Sequence, residues 1–208
     1  SDAIQRTAHE ALQIAAGNGF MKEFPYEQVV RDSRILTIFE GTNEILRLYV
    51  ALSGMKDVGS SLKELRAAIG DIFHNPIKGF GVLGGYTQRR WSQATGMGAD
   101  KIIRELSPKL RKAAAVYEEY VVELARVSDL LLRKHGKGIA DAQYQQKRVA
   151  DIAIDMFVGL CTLSRADALV KAKDPHAAQA ESIALTFTRQ ARRRMARSIG
   201  YAAIAATR

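Results

Sequence analysis

The sequence predicts an all-α protein in which long antiparallel helices pack into one or more bundles. Proline is scarce, with 4 residues in a chain of 208, and no stretch alternates apolar and polar residues as a half-buried strand does. Apolar residues instead recur every three or four positions over long stretches, which is the period of an amphipathic helix. Hydrophobic residues make up 47% of the chain, enough for a sizeable core.

The first part of the chain contains two predicted helices. The first covers residues 4–17 and ends at the glycine-rich sequence that begins at Gly17. Residues 20–41 are predicted to be a connector. The second helix is expected to run from Asn43 to about residue 53, with Thr42 as its N-cap because a threonine hydroxyl can accept a backbone N–H in the first turn.

The middle of the chain differs in composition. A short helix is predicted over residues 60–73, and a glycine-rich stretch follows it. Such a change favours a boundary between two folded parts. The predicted organisation is therefore residues 1–55, a connector over 56–100, and a helical bundle over 101–208.

Three long amphipathic helices are predicted in the last part, and short connections between such helices indicate an antiparallel bundle. The apolar stripes are Ile103, Leu106, Leu110, Ala113, Tyr117, Tyr120, Leu124, Val127 and Leu131; Val149, Ile152, Met156, Leu160 and Leu163; and Ile183, Phe187, Ala191, Met195 and Ile199. Tyr117 and Tyr120 are therefore expected in the core. The single cysteine, Cys161, excludes an internal disulfide, is typical of a reducing compartment, and is expected to be a buried thiol.

The net charge of +9 favours anionic partners such as acidic headgroups or phosphate-bearing ligands. No zinc-ligand spacing and no nucleic-acid-reading motif is present, so neither a metal nor a nucleic acid is expected. A cluster of arginines is expected to form a solvated or salt-bridged helix face, with an anionic lipid or a subunit contact as alternatives. The cluster is Arg189, Arg192, Arg193, Arg194 and Arg197.

The most informative stretch surrounds Glu40. It places a carboxylate next to Gly41, just before the predicted helix start at Asn43. Glycine lets a ligand approach the backbone, and free N–H groups at a helix N-terminus suit electron-rich ligand groups. Taken alone, this pattern is more typical of a solvated loop carboxylate beside an ordinary helix cap than of a catalytic group.

The sequence Phe-Glu-Gly-Thr-Asn-Glu-Ile at 39–45 resembles the signature of the acyl-CoA dehydrogenases, flavin enzymes that oxidise acyl-CoA. The stretch Gln-Ile-Ala-Ala-Gly-Asn-Gly-Phe at 13–20 resembles the family's flavin segment. Residues 24–27 and 31–35 resemble the sequence between the two. Order and spacing agree over residues 1–55.

This resemblance implies specific roles around FAD and substrate. Glu40 would be the catalytic base, Gly41 would lie against the substrate, and Thr42, Asn43 and Glu44 would lie near the flavin. A second set of residues would contact the dinucleotide part of a flavin. That flavin would be bound mainly by the partner subunit of a homodimer. This set is Gln13, Ile14, Ala15, Ala16 and Gly17. Ala16 departs from the family, which usually has a second glycine there, and its methyl group is expected to crowd the ligand.

The extension beyond residue 55 resembles that of the very-long-chain members, for example in residues 134–139 and 146–155. The resemblance implies oxidation of long-chain fatty acyl-CoA to trans-2-enoyl-CoA in fatty acid β-oxidation. It also implies the electron-transfer flavoprotein as electron acceptor. The expected location is the cytoplasm of a bacterium or the mitochondrial matrix of a eukaryote.

The glycine-rich segment mixes apolar, aromatic and cationic residues, as an interfacial membrane segment does. A peripheral membrane contact is therefore a hypothesis, and a loop packed on the bundle is its alternative. The residues concerned are Lys78, Phe80, Leu83, Arg89, Arg90 and Trp91.

Two other functions remain open from the sequence. One is a non-enzymatic helical scaffold or membrane-binding module, and the other is an enzyme that resembles the acyl-CoA oxidases. The chain lacks the N-terminal helical domain and the middle β-domain of the family. We therefore expect the 208 residues alone neither to hold FAD tightly nor to turn over acyl-CoA.

Overall fold

The computed structural model of the protein describes residues 1–55 and 106–207. These residues are largely helical and include no β-strand, which confirms the predicted all-α fold. The chain divides into two compact units, Ser1–Tyr49 and Val50–Arg208. Within the described ranges, no helix is long and apolar enough to cross a bilayer. The helix predicted over 60–73 and the membrane-contact residues between 78 and 91 lie outside these ranges.

The first unit is built from short helices. They are α1 (Asp2–Ile14), α2 (Gly17–Phe20), α3 (Tyr26–Arg34), a 3-10 turn (Ile35–Thr37) and the beginning of α4, which is helical over residues 43–55. Helix α1 packs against α2 and α3. Its buried residue is Ala8, a small side chain that lets neighbouring helices approach closely.

The predicted connector over 20–41 is wrong, because it contains helix α3. Pro25 lies immediately before the first turn, where its missing N–H breaks no helical hydrogen bond. Glu27 and Arg31 then form an ion pair at 2.9 Å one turn apart, an arrangement that supports an exposed helix. The sequence pattern failed here because Ser33 is the only buried residue of α3, so no apolar stripe marks the helix.

The second unit contains three long helices, α5 (Pro108–His135), α6 (Gln143–Lys171) and α7 (Ala177–Thr207). The backbone N–H of Ser107, before α5, donates to the Asp167 carboxylate near the end of α6 at 2.8 Å. Lys109, in the first turn of α5, forms an ion pair with Glu181 in the first turns of α7 at 3.1 Å. Helices α5 and α7 therefore run in the same direction and α6 runs against them, which confirms the predicted antiparallel bundle.

Tyr117 and Tyr120 lie in the core of this bundle, as predicted, with 1% and 7% of their surface exposed. The Tyr117 hydroxyl donates to Thr188 Oγ1 at 3.1 Å, and the Tyr120 hydroxyl donates to the carbonyl of Arg192 at 3.2 Å. Both rings thus join α5 to α7 with their polar ends satisfied. The other buried residues of this core are Leu110, Ala113, Ala114, Ile152, Met156, Leu163, Ala166, Ala184, Ala191 and Met195.

Two burial predictions are wrong. Cys161 is exposed, because the core side of α6 carries Met156 and Leu163 and residue 161 lies well off that side of the helix. Ile183 is 56% exposed, because α7 faces the core with the neighbouring Ala184. An apolar run longer than one turn necessarily places some of its residues on the outer side of a helix.

The connection between α5 and α6 is held by a buried amide. A 3-10 turn at Gly136–Ala140 follows α5. Gln146 in the first turn of α6 is 0% exposed, and its Nε2 donates to the backbone carbonyls of Ile139 and Ala140. These bonds fix the turn against the start of α6.

Candidate active site

Glu40 lies in the turn between the 3-10 helix and α4. Its φ is 56° and that of Gly41 is 106°, so two consecutive residues adopt conformations that favour glycine. A non-glycine residue in this region costs free energy and is often found where function fixes the backbone. The turn leaves Glu40 exposed.

Gly41 is required by its backbone conformation more than by lack of space. A Cβ built at this position would be 3.4 Å from Leu46 Cδ2, which is ordinary van der Waals contact. Its φ of 106° is one that residues with side chains rarely adopt. From the sequence, close approach of a ligand is the expected reason for a glycine here, and the structure adds the turn itself as a reason.

Thr42 caps helix α4, as predicted. The backbone N–H of Ile45 donates to Thr42 Oγ1 at 3.3 Å, which satisfies one of the free N–H groups of the first turn. Glu44 is exposed in the same turn, where a carboxylate interacts favourably with the helix dipole. The N-terminus of α4 is thereby fixed directly after Glu40 and Gly41.

Asn43 connects this turn to the start of α1. Its Oδ1 accepts from Ser1 Oγ at 2.9 Å, and its Nδ2 donates to Asp2 Oδ1 at 2.5 Å. Arg47, one turn further along α4, donates to Asp2 Oδ2 at 2.6 Å. The Arg47 hydrogen bond lowers the pKa of Asp2, against the opposing effect of burial.

The roles of Asp2 and Arg47 were not foreseen from the sequence. The available signal was the position of Arg47 four residues after Asn43, from which its guanidinium also reaches the Asn43 carbonyl at 3.2 Å. The side chain of Asn43 is engaged on both its oxygen and its nitrogen. Its structural role is therefore to hold α1 and α4 together.

A pocket of about 500 Å³ lies beside the turn, between α1 and the N-terminus of α4. Thr42, Asn43 and Glu44 contribute to its wall, whereas Glu40 and Gly41 do not. Its lining residues are Asp2, Gln5, Arg6, His9, Arg34, Thr37, Ile38, Thr42, Asn43 and Glu44. The lining holds both cations, Arg6 and Arg34, and the carboxylates of Asp2 and Glu44, so it suits a polar ligand group.

The other predicted flavin segment lies elsewhere in the unit. Gln13 and Ile14 end α1, and Ala16 and Gly17 form the turn into α2. Asp2, which bonds Asn43, is at the opposite end of α1, about 16 Å along the helix axis from Gln13. The structure therefore does not bring residues 13–17 together with residues 42–44.

The turn at Ala16 and Gly17 is open to its surroundings. No atom lies within 4 Å of a Cβ built at Gly17, and Ile14 is 84% exposed. Ala16 has φ 51° and ψ −125°, so its methyl group stands in a conformation that favours glycine. These observations fit a cofactor lying across the turn, with the Ala16 methyl as the group it would meet.

Glu40 itself carries an available carboxylate. Among the described residues, none forms a hydrogen bond or an ion pair with it. An exposed carboxylate at a fixed backbone position can accept a proton from a ligand placed over it. Among residues 1–55 and 106–207, no group of histidine, cysteine and acidic residues could hold a metal ion.

Two family models match the chain. Residues 1–55 match the model described as "Acyl-CoA dehydrogenase, C-terminal domain", and residues 108–207 match the model described as "ACAD9/ACADV, C-terminal domain". The first match contains the candidate site, and the second contains the three-helix bundle.

The mitochondrial very long-chain specific acyl-CoA dehydrogenase of Rattus norvegicus is 38% identical over 167 residues, which are 80% of this chain and 25% of the relative. The corresponding protein of Homo sapiens is 35% identical over 195 residues, 94% of this chain and 29% of the relative. An acyl-CoA dehydrogenase of Bacillus subtilis is 47% identical over 51 residues, 24% of this chain and 14% of the relative. The chain thus spans about a quarter of the length of the very long-chain relatives.

A solved structure shares the fold. The crystal structure of acyl-CoA dehydrogenase complexed with FAD from Bacillus anthracis superposes with a TM-score of 0.73 and 24% sequence identity. The match covers 96% of this chain and 31% of that one.

Proposed function

The chain belongs to the acyl-CoA dehydrogenase family, and from this premise we propose that it supplies the catalytic base of an enzyme that oxidises long-chain fatty acyl-CoA to trans-2-enoyl-CoA in fatty acid β-oxidation. Glu40 is this base. The observation that supports the proposal is the exposed Glu40 carboxylate, which pairs with none of the described residues and lies in a turn whose two φ angles are positive.

In the proposed reaction, Glu40 accepts the proton from the carbon next to the thioester carbonyl. That carbon is a weak acid, so the base must be close and correctly oriented. Gly41, with φ 106°, fixes the orientation of Glu40 and lies against the substrate. Substrate that covers the turn removes water from the carboxylate, and a desolvated carboxylate is a stronger base.

The redox chemistry, which is acceptance of the hydride from the neighbouring carbon, would be supplied by bound FAD. The residues proposed to hold it are Thr42, Asn43 and Glu44 near the flavin ring, and residues 13–17 at the dinucleotide. The Thr42 hydroxyl accepts the Ile45 N–H and keeps its own O–H for a ligand. Because residues 13–17 and 42–44 lie apart, we propose that the two sets serve the two FAD molecules of a homodimer.

The proposed electron acceptor is an electron-transfer flavoprotein, and oxygen is the acceptor in the alternative, oxidase-like enzyme. The very long-chain relatives are named as mitochondrial, and a mitochondrial matrix location is proposed for a eukaryotic source, or the cytoplasm for a bacterial one. The peripheral membrane contact of residues 78–91 remains a proposal. Liposome flotation of the wild type against Trp91→Ala tests it, and equal flotation of both proteins would contradict it.

The decisive experiment is Glu40→Gln in the whole polypeptide that carries this sequence. Loss of the base is expected to lower the rate of acyl-CoA dehydrogenation by about 100- to 10,000-fold, while the flavin content stays unchanged. Glu10→Gln, which removes an exposed carboxylate from α1, is the matched control and should retain full activity.

Two outcomes would refute the assignment. One is unchanged turnover by the Glu40→Gln variant, and the other is loss of bound flavin in that variant, which would make the defect one of assembly. Parallel assays with electron-transfer flavoprotein and with oxygen distinguish the dehydrogenase from the oxidase-like alternative.

A further inference from the structure

A groove of about 370 Å³ runs between α5 and α7 in the second unit. Its floor is formed by Ala113, Val116 and Leu185, together with Thr188. Ala113 and Thr188 are buried, whereas Val116 and Leu185 are partly open to the groove. The floor therefore offers an apolar surface to a ligand.

Three cations form the rim of this groove, Lys112 from α5 and Arg189 and Arg192 from α7. All three are exposed, and none of the described residues that line the groove is acidic. Within the described residues none of them is paired with a carboxylate. A nearby carboxylate, that of Glu181 one turn before Leu185, is already bound to Lys109 at 3.1 Å.

The polar partner of a ligand in this groove must come from the rim. The Thr188 hydroxyl accepts from Tyr117 at 3.1 Å and donates to the Ala184 carbonyl at 2.9 Å, so its donor is already used. Arg189 gives one N–H to Thr186 Oγ1, and a guanidinium carries five donors. The groove thus presents several free N–H donors beside an apolar floor.

We propose that this groove binds a single-chain amphiphilic anion, with the alkyl chain on the floor and the acidic head held by Lys112, Arg189 and Arg192. A volume of about 370 Å³ lies at the lower end of the range of small-molecule sites, roughly 300–1,000 Å³. It suits one alkyl chain and is too small for a two-chain lipid. A nucleic acid is a poor match because the floor is apolar and presents no aromatic ring for stacking. This site is independent of the function proposed for Glu40.

The test is isothermal titration calorimetry of the 208-residue chain with dodecanoate, dodecanol and inorganic phosphate, at concentrations below micelle formation. Dodecanoate is expected to bind with one-to-one stoichiometry, and dodecanol and phosphate at least tenfold more weakly, since each lacks either the charge or the chain. Equal binding of dodecanoate and dodecanol would overturn the proposal.

Variants locate the site. Arg189→Gln combined with Arg192→Gln should weaken dodecanoate binding roughly tenfold or more, because charge-assisted hydrogen bonds to the head are lost. Arg193→Gln combined with Arg197→Gln removes the same charge from exposed positions of α7 outside the groove and should leave the affinity within about twofold. An equal loss in both double variants would overturn the proposal, because it would indicate general attraction by the basic helix.

A further experiment measures binding of the chain to vesicles that contain an anionic phospholipid. If the groove is the binding site, free dodecanoate binds when no vesicles are present. Binding to the vesicles without any binding of free dodecanoate would assign the basic surface to a membrane and overturn the site. Circular dichroism of each variant shows whether a lost affinity reflects lost folding, since the substituted side chains are exposed.

Discussion

The backbone of Gly159 in α6 lies directly against the ring of Tyr117 in α5. A Cβ built at Gly159 would stand 2.0 Å from the Tyr117 hydroxyl oxygen and 2.2 Å from its Cζ. Tyr117 cannot move away easily, because it is 1% exposed and bonded to Thr188. The contact explains why a glycine stands inside a long helix.

We therefore predict that Gly159→Ala destabilises the bundle by about 2 kcal/mol, since overpacking exceeds the gain in helix propensity. Gly200→Ala in α7 is the matched control: no atom lies within 4 Å of its Cβ position, so it should stabilise by about 0.5–1 kcal/mol. Urea unfolding followed by circular dichroism measures both values. Equal and favourable effects of the two substitutions would contradict the contact.

Asp167 should make the stability of the bundle depend on pH. The hydrogen bond from Lys171 lowers its pKa, and the backbone N–H of Ser107 acts in the same direction. Because the folded-state pKa lies below the unfolded-state value of about 3.9, this stabilisation is complete above that value. It is lost as the pH falls through the folded-state pKa.

Asp167→Asn is accordingly expected to cost about 1–2 kcal/mol at pH 7 and much less under strongly acidic conditions, where the wild-type carboxyl is itself protonated. Asp141→Asn, at an exposed position, is the control and should change the unfolding free energy little at any pH. A difference between wild type and Asp167→Asn that does not shrink on acidification would refute the ionic role of this residue.

Ala16 should be replaceable by glycine with a gain in stability. Its φ is 51°, and relief of such backbone strain stabilises the folded state by about 1–3 kcal/mol. Glycine also gives the unfolded chain more freedom, which reduces this gain by about 0.4–1 kcal/mol. Ala15→Gly is the control, because Ala15 has an ordinary helical φ of −69° and should lose about 0.5–1 kcal/mol. Amide hydrogen exchange in α1 reports this unit separately. Faster exchange in Ala16→Gly than in the wild type would count against the prediction.

The 208-residue chain is expected to be purified without stoichiometric FAD. It spans about a quarter of the length of its very long-chain relatives, and the residues proposed to contact FAD are exposed or half-buried and lie at two separated places. The chain is incubated with FAD and then separated from free FAD by gel filtration. The visible flavin absorbance of the protein fraction measures how much FAD the chain retains. Retention of one FAD per chain would show that these turns suffice for tight binding.

The sequence predicted the long helices well because their apolar stripes meet one shared core, as Leu110, Ile152 and Met195 do. The sequence-based prediction failed where the buried residues do not recur with the period of a helix. Helix α3 buries only Ser33, and the outward Cys161 lies within an apolar run. For these residues the outcome depends on which neighbours pack against them, and that information is not local.

In the candidate site, too, some features could be predicted from the sequence and others could not. The Thr42 cap follows from local chemistry and was predicted, whereas the role of Asp2 depends on contacts with Asn43 and Arg47 that are more than 40 positions away in the chain. The positive φ of Glu40 was also not foreseeable, since glutamate has no preference for that conformation. Recognition of Glu40 rested on the motif around it.

The buried amide of Gln146 has a consequence for protein engineering. Because it holds the carbonyls of Ile139 and Ala140, the loop between α5 and α6 has a fixed length, and an inserted tag or reporter would have to break these bonds. In the loop between α6 and α7, the backbone N–H groups of Lys173 and Asp174 donate to carbonyls in the last turn of α6, whereas the Lys173 side chain is exposed. A fluorophore is therefore best attached to the side chain of Lys173, where it leaves the backbone hydrogen bonds of both loops intact.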